Sequence, residues 1–203
     1  MDPIDKLAQL FEKFPGTGPR QARRFVYHLL RQNPSDRRDM ADAIKTLSDH
    51  VALCKESYQY FHTTDPSETL SPIARDPSRR RDILMIVEKD ADISALERGG
   101  FDGQYFVLGG RVPVLKNDPE KYIRLRELSQ RVKNGIKADN LKEIVIATSV
   151  TPEGENTEEH VRSTLSKVSD TLSITTLGRG LSTGSELEYM DPDTIKNALK
   201  GRH

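Results

Sequence analysis

The 203 residues balance 31 Lys and Arg against 31 Asp and Glu, so no global field draws the chain onto nucleic acid or a membrane, and any polyanion contact must come from a local patch. A single cysteine, Cys54, excludes an intrachain disulfide, and no apolar run reaches bilayer-spanning length. The opening Met-Asp-Pro-Ile-Asp lacks the basic and apolar pattern of a secretion signal, so a soluble cytoplasmic protein with no membrane partner is expected.

Ile4, Leu7, Ala8 and Phe11 fall at helical spacing, and Phe14 closes their face. Next comes Pro15-Gly-Thr-Gly-Pro-Arg20, a turn opening directly into a second helix. Gly16 and Gly18 let the backbone turn sharply and approach a partner closely. Pro19 suits a first helical turn, whose free N–H groups form an anion site suited to phosphate. At about 100° per residue, Ala22, Phe25, Val26, Leu29 and Leu30 share one face, while Arg20, Arg24 and Arg31 lie opposite within about 40° and Arg23 flanks them. Six arginines stand against one acid, Asp36, between Arg20 and Arg38. Gly16, Gly18, Arg20, Arg23 and Arg24 are therefore the candidate nucleic-acid contacts. They would hold phosphates without reading sequence, and the grip would weaken with salt. The bland alternative is a solvated basic face.

Asn33-Pro34 ends this helix, and Ser35 is the expected N-cap of a third, with Met40, Ile44, Leu47 and Val51 on one stripe. Residues 1–53 thus read as a helix–hairpin–helix domain. From Cys54 to Pro77 periodicity dissolves among prolines, serines and threonines, leaving a linker or a small module with unusual support. A second basic knot, Arg75 with Arg79-Arg80-Arg81, carries Asp76 and Asp82.

After Arg81 the pattern changes class. Ile83–Val87, Tyr105–Leu108, Ile144–Ala147 and, more weakly, Leu172–Leu177 read as buried strands. Helical stretches fall between them near Ile93–Arg98, Pro119–Val132 and Glu155–Val168. The fold class is α/β, with a mostly parallel sheet flanked by helices. Sites gather at strand ends in such sheets, which singles out Glu88, Glu153 and Glu155. A carboxylate closing a buried strand is costly without a purpose; Glu155 reads equally as a helix cap. His28 reads as a packing or hydrogen-bonding residue, and Gly109-Gly110 lacks a nucleotide-binding context. With no Trp and 6% aromatic residues, a sheet surface built to stack bases is not expected. A polar Gly-rich loop, Arg179–Gly184, precedes Leu187-Glu-Tyr189 and a short helix at Ile195–Leu199.

In order, Phe14–Arg20, Phe25–Leu30, Arg75-Asp-Pro-Ser-Arg79, Val87-Glu88, Val107–Gly110, Glu153-Gly-Glu155, Arg179-Gly-Leu181 and Leu187-Glu-Tyr189 resemble the successive landmarks of the RecR family of bacterial recombination mediators. The resemblance covers nearly the whole chain. It implies a helix–hairpin–helix domain (1–53), a degenerate zinc-finger-like segment (54–77), a Toprim-like domain (78–177) and an oligomerising tail (178–203). It further implies DNA repair and homologous recombination. The working form would be a homo-oligomeric ring, with a tetramer as a candidate size, that loads recombinase with RecO-like and RecF-like partners. The family's DNA-contacting basic positions fall on Arg20 and Arg24.

Two departures stand out. The family's four zinc-binding cysteines map onto Cys54, Ser57, Ser71 and Ala74, so zinc is not expected. The loop after Gly110 reads Arg111-Val-Pro-Val-Leu-Lys-Asn-Asp-Pro119 in place of a Ser-Pro and glycine-rich turn. Catalytic Toprim domains hold magnesium with a strand-end glutamate and an Asp-x-Asp pair. Glu88 matches the first, but Ser149 and Thr151 replace the pair and lack its charge. A non-catalytic protein without a cofactor is the leading expectation, with Glu88, Glu153 and Glu155 as a partner-binding patch. The alternative is a magnesium-dependent Toprim nuclease using those three glutamates.

Overall fold

The computed structural model describes residues 1–116 and 118–178. The expected Gly-rich loop, the Leu187-Glu-Tyr189 landmark, the short helix at 195–199 and nearly all of the oligomerising tail lie outside the described residues. The chain divides into two compact units, Met1–Val51 and a second from Ala52 onward.

The first unit is helical: α1 (Pro3–Phe11), α2 (Pro19–Arg31) and α3 (Pro34–Thr46). Asp2 caps α1 by accepting from the Ile4 N–H at 3.0 Å. Gly16 takes φ +74, a conformation that disfavours any side chain, and Gly18 becomes the N-cap with Pro19 in the first turn. Ala8, Ala22 and Val26 are buried between α1 and α2, with Ile4, Leu7 and Phe11 packed around them. The two alanines let the helices approach closely, and Phe11 meets Phe25 edge-on at 5.7 Å.

Helix α3 departs from expectation at its start. Its N-cap is Asn33 rather than Ser35, because Pro34 takes the first-turn position and shifts the boundary back. The helix buries no residue: Met40, Ile44 and Leu47 are exposed.

From the unit boundary on come a two-stranded ribbon, β1 (Val51–Leu53) and β2 (Tyr60–His62), and a short helix α4 (Pro72–Arg75). Segment 54–77 is thus a small folded module. Then follow β3 (Ile83–Val87), α5 (Asp90–Arg98), β4 (Gln104–Val107), α6 (Leu125–Ala138), β5 (Glu143–Ala147), α7 (Pro152–Ser166) and β6 (Ser173–Thr176). The sheet has the order β4-β3-β5-β6 and every pair is parallel.

Alternation along the strands sorts two cores. Leu84, Ile86, Phe106, Leu108, Ile144 and Ile146 face α6 and α7 through Leu128, Val132, Val161 and Leu165. Met85, Val87, Tyr105 and Val107 face α5 through Ile93 and Leu96. The expected helix 119–132 is split into a 3-10 turn at Pro119–Lys121 and α6, which runs six residues beyond Val132. The Arg124 N–H bonds to the Leu108 carbonyl at 3.0 Å, pinning the break to the end of β4.

The chain leaves β3 toward β4 on one side and leaves β5 toward β6 on the other. The carboxyl ends of β3 and β5 therefore flank the switch point at which ligands gather in open parallel sheets. Glu88 follows β3 there, and Thr148-Ser149 follow β5.

Candidate nucleic-acid interface and strand-end carboxylates

In the first unit Arg20, Arg24 and Arg31 are exposed. Arg24 bonds only weakly within the helix, its Nη1 lying 3.4 Å from Gln21 Oε1. Arg23 instead pairs with Asp5 on α1 at 2.7 Å, both side chains remaining about half exposed. Arg37 donates to the Leu29 and Gln32 carbonyls at 3.2 and 2.6 Å, capping the C-terminus of α2. The expected six-arginine patch thus resolves into a row of three, one half-neutralised neighbour, one helix cap and Arg38.

At the head of the row, Gly18 supplies no capping side chain to the first turn of α2. A side chain built at Gly16 or Gly18 would meet nothing within 4 Å. Internal packing does not demand glycine at either place; what glycine leaves is bare backbone facing outward beside Arg20. His28 bonds to Gln32 at 3.0 Å, as its helical position suggested.

The second basic knot is a different object. Arg79 forms a two-pronged pair with Glu97 at 3.0 and 2.7 Å and donates to the Gly103 and Phe101 carbonyls at 2.9 Å each. Arg75 pairs with Glu68, Arg80 with Asp82 and Arg81 with Asp139. These four arginines are tied to carboxylates, and Arg79 bolts the Asp-Pro-Ser-Arg turn to the sheet. Glu97 also accepts from the Tyr105 hydroxyl at 2.7 Å. Burial first, then that carboxylate, pushes the Tyr105 phenol up. Burial would raise Glu97, but Arg79 and Tyr105 outweigh it and hold the carboxyl below its ordinary value.

At the switch point Glu88 is buried, with 8% of its side chain exposed. Its Oε1 accepts from both the N–H and the hydroxyl of Ser149, each at 2.8 Å. Its Oε2 lies 3.7 Å from Arg111 Nε, and Arg111 Nη1 lies 3.8 Å from Glu153 Oε2. Ser149 and Thr151 hydroxyls are 3.0 Å apart, and Thr151 caps α7 by accepting from the Gly154 N–H at 3.1 Å. Gly154 is fixed by closeness: a Cβ there would fall 2.0 Å from the Ser149 carbonyl oxygen. The structure thus brings together Glu88, Glu153 and both positions of the missing acidic pair. Glu153 and Glu155 are exposed, whereas Glu88 is spent internally.

Sequence reasoning did not find Arg111. Its signal was a lone cation directly after the strand-end Gly109-Gly110. The loop that carries it is anchored to α7, where Val112 N–H donates to Thr157 Oγ1 at 2.9 Å and Asn156 Nδ2 to the Val112 carbonyl at 3.1 Å. With a guanidinium facing the carboxylates and hydroxyls in place of the acidic pair, these residues do not fit a magnesium site.

The four zinc-module positions also converge. Cys54 is fully buried with Phe61 and Ala74, and its Sγ accepts from the Ser57 N–H at 3.4 Å. Ser71 Oγ accepts from the Ala74 N–H at 3.2 Å. Burial would raise the Cys54 thiol, but the Ser57 hydroxyl, followed by the Ser71, Ser57 and Glu56 N–H groups, holds it below its ordinary value. One thiol, two hydroxyls and a methyl do not fit zinc, which needs four nitrogen or sulfur donors. Among the described residues no three His, Cys, Asp or Glu side chains cluster as metal ligands. Packing comes from Tyr58 on Phe106 at 5.3 Å and from buried Phe61, while Tyr60 is exposed.

Three known families match successive stretches of the sequence. The RecR helix-hairpin-helix family matches residues 4–47, the Toprim domain family residues 82–177 and the RecR C-terminal family residues 180–203. Recombination protein RecR of Carboxydothermus hydrogenoformans is 35% identical over 99% of this chain and 96% of its own length. That of Paenarthrobacter aurescens is 36% identical over 98% and 93%, and that of Legionella pneumophila 31% over 100% and 96%. The chain belongs to the RecR family of recombination proteins. The match to the RecR C-terminal family falls on the tail beyond the described residues. Among the described residues no helix is long and apolar enough to cross a membrane.

Proposed function

We propose that this protein is a non-catalytic, DNA-binding mediator of recombination and repair, working in the cytoplasm as a homo-oligomeric ring with RecO-like and RecF-like partners. The observation that carries the DNA-binding reading is the exposed Arg20–Arg24–Arg31 row beside the bare Gly16–Gly18 turn. The names of the relatives, each a recombination protein, support the biological role. Arg23 is a secondary contact, since Asp5 offsets its charge. A few arginines on one chain give a weak grip; a ring multiplies it through effective concentration. Residues 178–203 are the proposed oligomerising segment, and exposed Glu153 and Glu155 the proposed partner-facing patch. The module at 54–77 is proposed to hold its shape without metal.

The non-catalytic reading rests on the carboxylates being occupied by Ser149 and Arg111. Metal-dependent cleavage of nicked, single-stranded or duplex DNA, abolished by Glu88→Gln, would overturn it in favour of the nuclease. For DNA binding the decisive variant is Arg20→Ala with Arg24→Ala. Fluorescence anisotropy across a salt series should show a large loss of affinity and a salt dependence shallower by about 1.5 in log–log slope per engaged chain. Unchanged affinity would make the row a solvated face.

A further inference from the structure

We propose that Tyr27 turns the arginine row of α2 into a platform for unpaired bases, so that the N-terminal unit takes single-stranded DNA more tightly than duplex. This rests on the DNA-binding reading above. Tyr27 lies three residues after Arg24, four before Arg31 and seven after Arg20. At about 100° per residue the four side chains share an arc of about 60°. Neighbours at three and four positions on a helix are within side-chain reach, so the ring is bracketed by Arg24 and Arg31.

Ring contacts, not exposure, separate Tyr27 from the other aromatics of this unit: Phe14 is 57% exposed but packs on Phe11. Phe11 packs against Phe14 and Phe25 and joins the α1–α2 core. Tyr27 has 48% of its surface exposed. It has no ring contact or hydrogen-bond partner among the described residues. An aromatic on the apolar face would be spent on packing; this one stands on the charged face.

The chemistry follows from what each group offers a strand. Arginines hold successive phosphates and set the path of the backbone. An aromatic face between them offers stacking to any base, because every base has a π-face. In a duplex the bases are already stacked and turned inward, so the ring would meet only sugar and phosphate. A single strand can turn a base outward onto it. The preference would be for unpaired strand, without sequence discrimination.

The test uses the full chain and three fluorescent probes of equal length: a thymidine oligonucleotide, a duplex, and an abasic sugar–phosphate strand. Tyr27→Ala should weaken thymidine-strand binding roughly tenfold, with Tyr27→Phe restoring it. Affinity for the duplex and the abasic strand, and the salt slope, should stay as in the parent. Tyr27→Ala binding the thymidine strand as well as the parent would overturn the proposal. Equal loss on all three probes would also overturn it, pointing to a structural or assembly role. Failure of the parent to bind any probe would sink the phosphate reading and this inference together; binding by the parent with a silent Tyr27 would sink this inference alone.

Discussion

Ser149→Ala tests how the Toprim strand end is held. Glu88 is buried, and its Oε1 rests on two 2.8 Å hydrogen bonds, one from the Ser149 N–H and one from its hydroxyl. The substitution removes the second and leaves the carboxylate with half of that support. A hydrogen bond to a charged group contributes about 1.5–3 kcal/mol, more than a neutral one, because an under-partnered buried charge keeps its desolvation cost. Arg111 offers less: it is 3.7 Å from Oε2 with 42% of its side chain exposed, and solvent screening reduces such a pair to about 0.5 kcal/mol. Ser149→Ala should therefore cost about 2 kcal/mol and Arg111→Ala clearly less. Urea unfolding followed by circular dichroism reads both, and a melting shift of about 4–8 °C for Ser149→Ala should accompany it. A Glu88→Gln/Ser149→Ala cycle should return a coupling of about 1 kcal/mol or more. If Ser149→Ala cost under about 0.5 kcal/mol, or if Arg111→Ala cost more, the assignment of Ser149 as the principal support of Glu88 would be wrong.

Two further outcomes follow from the second unit. Glu97 has a depressed carboxyl in the folded chain, so it contributes stability above the ordinary carboxylate value of 4.5 that is lost as pH falls through and below that value. Glu97→Gln should lower stability at neutral pH and flatten the acid limb of a stability–pH curve; an unchanged limb would show that the Arg79 bolt is inert. The module at 54–77 should carry no tightly held zinc, and chelator should leave its melting temperature unmoved; one zinc per chain by metal analysis would refute the metal-free reading.

The arginine row, the Gly-Thr-Gly turn and the parallel sheet were legible in the sequence because each rests on short-range periodicity. Arg20 and Arg24 are exposed because α2 is amphipathic, and its apolar face found α1. The strands were legible because both faces of the sheet are covered, giving continuous apolar runs. What stayed hidden depends on distant partners. Nothing near Arg79 in the sequence announces Glu97, 18 residues on, so the knot showed its neighbouring acids Asp76 and Asp82 but not the partner that holds Arg79. The residues of the α3 stripe were legible as one face, and Met40, Ile44 and Leu47 on it are exposed. Periodicity says which residues share a face and cannot say whether anything covers it.

The zinc-module positions argue the same point from the other side. One thiol, two hydroxyls and a methyl offer zinc no donor set, yet the turn they stand on is well formed. The Ser57 N–H points at the Cys54 sulfur, and Tyr58 holds φ +56 directly after it. That strained position is supported from outside the turn: the Tyr58 ring packs on Phe106, Arg124 lies over it at 5.6 Å, and the Ser57 carbonyl accepts from the Val107 N–H at 2.7 Å. Each contact ties the turn to β4 or to the break before α6, elements that fold for their own apolar reasons. A metal links ligands within one small loop; these contacts fasten the loop to a sheet that is already rigid. The module therefore keeps its shape by docking, and Tyr58→Gly should loosen 54–77, read as faster hydrogen exchange confined to that segment, with the sheet unaffected. Unchanged exchange would place the support elsewhere.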